Sequence, residues 1–405
     1  MKKELVLKIF EAFSIQRWND LVRPFELVEM DKAAEKMILA YVIGKFEENR
    51  GVKIDWIWII NASLFDLLKK IALCDIKAPV QQMLKKEFPD EYMRLNEWVL
   101  NQYKLLMNDD ELFSQFTLYI GQKAGSFEIP DEAKSAVHVY NAAHKFSTIR
   151  ELQMLSVVNE RERIEKIEKD LQSEIQPYLD LPGLQMLINH QKAFDLVMKI
   201  EQLRFQTRWN QTPRVPKTSV LGHSYFVAIM TLLLGRESKQ KKCQKRIINN
   251  FFSALFHDLP ESVTRDIISP VKQATDELPF VVKNIENKIV SKELLPLMED
   301  FFKDEIIYYT SEEFSNRIKN SNNETIEVSY EELNEKYNSD EYSPIDGKLV
   351  RISDHLSALL EATISINHGI TSSHLVTGRD SLLNHYAKNK IINEIDVYKY
   401  FNEFV

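Results

Sequence analysis

The stretch SALFHDLPESVTRDIISPVKQ, residues 253–273, decides how this chain is read. An apolar run ends at Leu255-Phe256 and meets His257, Asp258, Glu261 and Asp266 within ten residues. Neighbouring side chains on a helix diverge by about 100°. His257 and Asp258 therefore reach one point only where the helix stops, and Pro260 limits its continuation. The pattern predicts a buried helix that delivers an imidazole and a carboxylate from its C-terminal end.

Composition sets the frame. With 405 residues there is room for two or three domains. Only 10 Gly and 13 Pro occur, few for a hairpin-rich protein, so the expected class is all-α. The net charge of −8, with no strongly basic domain, disfavours binding along a nucleic acid duplex. Two cysteines without metal-ligand spacing fit a reducing, cytoplasmic setting. The first residues alternate charge with apolar side chains, unlike a signal peptide, and no run of about 18 apolar residues predicts a membrane span.

The same stretch has an echo. Residues 62–82, ASLFDLLKKIALCDIKAPVQQ, share Leu-Phe and Asp-Ile-x-x-Pro-Val with it at an offset of 191. At that offset LVLKI (5–9) faces LVMKI (196–200), Arg17-Trp18-Asn19 faces Arg208-Trp209-Asn210, and Arg23 faces Arg214. About a quarter of these positions are identical without a gap. Shared composition explains repeated Leu and Ile but not Arg-Trp-Asn in one register, so a duplication is expected. A looser match sets residues 136–149 against 349–362, with Asn141 opposite Asp354. The charged stretch 159–183 reads as an exposed helix and linker, which puts one domain at 1–175 and the next at 185–405. Residues 310–345 are polar and acidic and read as a surface insertion in the second domain.

Four residues of the second half form a candidate metal shell: His223 in the first turn of an apolar helix, His257, Asp258, and Asp354 beside the apolar stripe of 347–366. Two imidazoles and two carboxylates suit several divalent ions, among them Mn, Co, Fe, Ni, Zn and Mg. Each residue alone has a plainer explanation, because a lone histidine on an apolar helix is usually a packed core residue and a lone helical aspartate is usually solvated. The combination outweighs those explanations.

The order His223…His257-Asp258…Asp354 resembles the HD superfamily of metal-dependent phosphohydrolases. Arg208-Trp209, HDLPE (257–261) and RDIISPVK (265–272) resemble more narrowly the YfbR-like 5′-deoxynucleotidase branch. The resemblance implies one divalent metal on the quartet and a nucleotide substrate. Glu261 would serve as acid or base, and Arg208, Trp209, Asp266 and Lys272 would contact the substrate. Plainer roles stand beside these. Arg208-Trp209 recurs in the first half as Arg17-Trp18, so it fits a packing contact too. Asp266 recurs as Asp75 and fits a helix cap. Members of that branch often carry an acidic residue just before the first histidine; this chain has Gly222.

In the first half Lys32, Asp66, Leu67 and Lys70 stand where the second has His223, His257, Asp258 and Glu261. Leu67 cannot ligate, and lysines repel a dication. The expectation is two tandem HD-like helical domains, the first without metal ligands, serving as the packing partner in an intrachain pseudo-dimer. Further homo-oligomers stay open. The leading activity is removal of phosphate from a 5′-(deoxy)nucleoside monophosphate. The alternatives are an HD-type hydrolase of nucleoside triphosphates or signalling nucleotides, and a non-catalytic nucleotide-binding scaffold.

Overall fold

A computed structural model describes residues 1–74, 76–238, 240–265, 267, 271, 274–388 and 390–405. Asp266 and Lys272, two expected substrate contacts, lie outside the described residues. The chain divides into two compact units, Met1–Gln185 and Met186–Val405. Both are α-helical. The described strands are two short antiparallel hairpins, Arg317–Lys319 with Thr325–Glu327 and Ile391–Ile392 with Ile395–Asp396. Among the described residues no helix is long and apolar enough to cross a membrane.

The second unit is built around the Val220–Arg236 helix, whose side chains are buried from Val220 to Leu234. A helix apolar all round has no solvent face and must be central. It packs against the Gln244–Phe256 and Gly347–Asn367 helices. Phe252, Phe256 and Tyr309 stack at centroid separations of 6.2–6.3 Å on the flank of the Gln244–Phe256 helix. Each buried ring of this kind contributes about 2 kcal/mol.

The first unit repeats the arrangement with a different centre. Its Glu29–Asn49 helix packs against Trp56–Leu73 and Asp131–Ser156. Yet Glu29, Asp31, Lys32, Glu35 and Lys36 are all buried in it. Buried charges are tolerated only when paired: Glu29 accepts from Arg17 Nη1 at 2.6 Å, and Glu35 accepts from Ser147 Oγ at 2.5 Å.

Backbone details recur 191 residues apart. Single helical turns Glu11–Phe13 and Gln202–Arg204 precede extended bridges Gln16–Val28 and Thr207–Ser219. Arg17 N–H donates to Leu27 O and Arg208 N–H to Thr218 O, at 2.7 and 3.0 Å. Trp18 and Trp209 both adopt left-handed backbone, φ 56° and 57°, and so do Cys74 and Arg265, φ 53° and 64°. A bulky residue at positive φ is strained, and the strain persists only where surrounding contacts outweigh it.

The segment 310–345 is polar in sequence, but it is tied into the second unit. Arg317 is fully buried and donates to the carbonyls of Tyr308 and Tyr309, at 2.9 and 3.1 Å, and to Ser253 Oγ at 3.2 Å. Ile318, Leu333 and Ile345 are buried alongside. One cation satisfied by carbonyls holds down a segment that has few apolar anchors.

Candidate metal centre

Each candidate ligand occupies a helix end or an inward helix face. Ser219 caps the Val220–Arg236 helix by accepting from Gly222 N–H at 2.8 Å, which sets His223 in the first turn. The Gln244–Phe256 helix ends at Phe256; His257 is its C-cap, and Glu261 begins the next short helix, Glu261–Thr264. Asp354 projects from the Gly347–Asn367 helix.

These side chains converge. One ligand atom each of His223, His257 and Asp354 lies within 4.8 Å of the others. His223 Nε2 is 3.3 Å from Asp354 Oδ1. Asp258 Oδ2 lies 3.2 Å from His257 Nε2 and 3.6 Å from His223 Nε2. Both imidazoles are oriented from behind: His257 Nδ1–H donates to Ala254 O at 2.7 Å, and His223 Nδ1 pairs with Ser357 Oγ at 2.9 Å. That engagement of Nδ1 turns each Nε2 toward the centre, the arrangement metal-ligating histidines require. His223 Nε2, His257 Nε2 and Asp258 Oδ2 are buried and have no hydrogen-bond partner. Buried polar atoms without a partner are costly. A cation satisfies all three, so the donor set fits a divalent metal.

A proton on His257 Nε2 competes with a metal for the same carboxylates. Burial opposes charge on His257, but Asp258 and then Asp354 outweigh it and push its pKa up to about 9. Burial and the nearby Arg208 push His223 down. Burial would raise Asp258 and Asp354, but the imidazoles and Arg208 hold both below the usual carboxylate range. The centre thus keeps two carboxylates ionised and attracts a positive charge.

Behind the quartet lies a residue that the spacing of the sequence did not reveal. Glu361 is fully buried. It accepts from Arg208 Nε at 3.2 Å, Trp209 Nε1 at 2.8 Å and Thr218 Oγ1 at 2.6 Å, and its Oε1 is 3.9 Å from His223 Nδ1. Burial would raise its pKa, but Arg208 and Arg214 outweigh that and hold it at about 2. Arg208 and Trp209 are therefore engaged with the fold. The indole is also pressed against Gly378, where an added Cβ would stand 2.5 Å from the ring. Arg208 still reaches the quartet, with Nη1 3.7 Å from Asp258 Oδ2. Glu261 sits beside the quartet, half-buried, and its charge is among those that raise the Arg208 pKa.

The first unit has the same latch. Glu151 is fully buried and accepts from Arg17 Nε at 3.0 Å and Trp18 Nε1 at 2.9 Å. Matching the units through these latches gives a register that differs from the one read in the sequence. Glu151 and Glu361 each stand four residues after a serine, Ser147 and Ser357. Counting back seven residues from each glutamate sets His144, not Asn141, opposite Asp354. At the centre of this unit Lys36 Nζ, Tyr119 OH and Tyr140 OH all donate to Asp66, at 2.9, 2.5 and 3.1 Å. Lys32 Nζ donates to Thr148 Oγ1 at 2.9 Å and lies 3.6 Å from Glu151 Oε2. Burial, then Lys32 and Lys36, hold His144 well below the usual histidine range.

Residues 200–382 match the family model of the HD domain. The match spans all four members of the quartet and Glu361, and lies within the second unit. No curated protein matches the chain. Residues 200–382 are therefore similar to an HD domain, and domains of that kind are typically metal-dependent hydrolases.

Proposed function

We propose that residues 186–405 hydrolyse a phosphate monoester, specifically a 5′-(deoxy)nucleoside monophosphate, releasing the nucleoside and inorganic phosphate. The observation that carries this reading is the convergence of two Nε2 atoms and two ionised carboxylates at a buried point where three of those atoms have no hydrogen-bond partner. His223, His257, Asp258 and Asp354 would hold one divalent metal. When bound, such an ion polarises a phosphoryl oxygen and lowers the pKa of a coordinated water.

The chain's own groups do the rest. Ser357 and the carbonyl of Ala254 keep both imidazoles aimed at the centre. Arg208, held by Glu361, steadies the Asp258 carboxylate and offsets the local negative charge. Glu261 takes the proton from the attacking water or returns one to the leaving 5′-oxygen. The ester P–O bond breaks, and the oxygen of water becomes the fourth oxygen of phosphate. A nucleoside monophosphate is favoured over a triphosphate because, among the described residues, the cationic side chains at the centre are few and Arg208 is largely engaged with Glu361.

We also infer that residues 1–185 are a duplicated copy that has exchanged its metal shell for internal cations. The supports are the 191-residue offset in sequence, the left-handed Trp18 and Trp209, and the two Arg-Trp-Glu latches. Metal analysis of the purified chain, with phosphate release assayed on nucleoside mono- and triphosphates, tests the functional reading. The expected result is about one metal equivalent and release from monophosphates. A metal-free protein with full activity would sink it.

A further inference from the structure

One cation at the quartet is not absorbed by the fold. Arg351 lies one helical turn before Asp354, with Nη1 3.6 Å from Asp354 Oδ2. Asp354 thus faces two ways: Oδ1 approaches His223 Nε2, and Oδ2 approaches Arg351. The Arg351 side chain is 45% exposed, against 16% for Arg208. Its guanidinium carbon lies 4.4 Å from the centroid of the Phe314 ring, and that ring is 6.2 Å from His257. Phe314 belongs to the segment that Arg317 pins down, so its position is built into the fold.

This geometry is that of an unfilled anion clamp. Stacking on Phe314 occupies a face of the guanidinium and leaves its rim of N–H donors in the plane. Among the described residues the only carboxylate against that rim is Asp354, at a distance too long for a hydrogen bond. A permanently charged fork on the exposed side of a metal shell matches the paired oxygens of a phosphoryl group. In the first unit the residue ten positions before the latch glutamate is Asn141, where the second has Arg351. There Asn141 Oδ1 accepts from Lys123 Nζ at 3.2 Å, so the cation at that place is an internal ammonium and not a half-exposed fork.

We propose that Arg351, positioned by Phe314, is the substrate-contacting residue that grips the phosphate oxygens at this centre. The proposal rests on the metal-dependent phosphohydrolase reading above and assigns its phosphate contact to Arg351 rather than to the latched Arg208.

The test uses the metal-loaded full chain and the variants Arg351→Gln, Arg351→Lys and Phe314→Ala. Three quantities are read: metal content, binding of inorganic phosphate by calorimetry, and kcat/KM on para-nitrophenyl phosphate. R351Q should keep its metal and lose about tenfold or more in both phosphate binding and kcat/KM. R351K should recover part of the phosphate binding, since it restores charge without the fork. F314A should lose a smaller factor, about threefold, with metal retained. Unchanged phosphate binding in R351Q overturns the proposal. So does loss of metal in R351Q, which would make Arg351 a support for Asp354. If the wild type turns over no monoester yet phosphate binding still depends on Arg351, the clamp stands and the phosphatase reading falls. If turnover is robust and indifferent to R351Q, the reverse holds.

Discussion

The two units bury charge at equivalent places and neutralise it in opposite ways. In residues 186–405, Asp258 and Asp354 face His223 and His257, and lone pairs are left pointing at a common centre. In residues 1–185, Lys36 sits 2.9 Å from Asp66, and Lys32 reaches Thr148 and Glu151. A buried carboxylate needs a positive partner. The first unit carries that partner covalently, as ammonium groups; the second leaves the place for a dication. Both units hold an Arg-Trp pair on a buried glutamate, so the latch is a feature of the fold, while the His-Asp quartet lies in the second unit.

The sharpest way to break this comparison is to alter one equivalent position in each unit. Asp258→Ala should remove bound metal and lower hydrolysis by about a thousandfold or more. Leu67, at the matching position and 2% exposed, should behave as core. Leu67→Ala should leave metal content and kcat unchanged and cost about 3 kcal/mol of stability in denaturant titration. Metal loss from L67A would refute the division of roles.

The latches should respond in the same direction but unequally. Glu361→Gln leaves Arg208 with Asp258 alone, 3.7 Å away, and should destabilise its unit by about 3 kcal/mol; Glu151→Gln leaves Arg17 still paired with Glu29 at 2.6 Å and should cost less, about 1–2 kcal/mol. Calorimetry or denaturant unfolding measures both. A large loss in one and none in the other would mean that only one latch serves its fold.

A graft tests the register. Introducing Lys32→His, Asp66→His, Leu67→Asp and His144→Asp together should create a second metal site. Its affinity should be about 10–100-fold below the native one, because Lys36 and Lys123 still surround it. The same graft with Asn141→Asp in place of His144→Asp should bind no second equivalent. Metal stoichiometry by elemental analysis decides between the two registers.

The smallest effect expected is in acid. Burial would raise Asp66, but Lys36, Lys123 and Tyr119 outweigh it and hold it far below its ordinary 3.8. Glu361 is held at about 2 against an ordinary 4.5. Both pKa values are depressed on folding. Their contributions are therefore complete above about pH 4.5 and are lost as pH falls toward 2. Unfolding followed by circular dichroism should show stability declining only below about pH 4.5 from these groups, and Lys36→Met should remove the Asp66 share. An Asp66-dependent loss already present near pH 6 would contradict the pairing.

Much of this was legible in the residues themselves. The helix that ends at Phe256 and the pairing of His257 with Asp258 followed from an apolar run, the geometry of a helix and Pro260. His223 was visible as a polar residue in the first turn of an apolar helix, and Asp354 as one beside an apolar stripe. Glu361 and Glu151 were not, since a glutamate on an amphipathic helix ordinarily reads as solvated. The available signal was the serine four residues before each one, in line with Arg-Trp in each half. The latch register differs from the Asn141 register by three residues, almost one turn, a slip that leaves the apolar stripe of a helical segment undisturbed. Residues 310–345 read as a surface insertion because their anchor is Arg317, a charged side chain satisfied by carbonyls that only folding brings near.

The sequence by itself determined the helical class and singled out His223, His257 and Asp354, whose ligand atoms the fold brings together. Those rest on periodicity, turn chemistry and the valence of side chains, all local properties. Tertiary structure alone decided which cations are already spent. Arg208 is committed to Glu361, Lys36 to Asp66, and Arg351 stands half-exposed on Phe314 beside the quartet. Identical charges become latch, internal counter-ion or binding group according to what lies within about 4 Å, because Coulomb and hydrogen-bond energies fall off over that distance. That information resides in long-range contacts and in no single stretch of the chain.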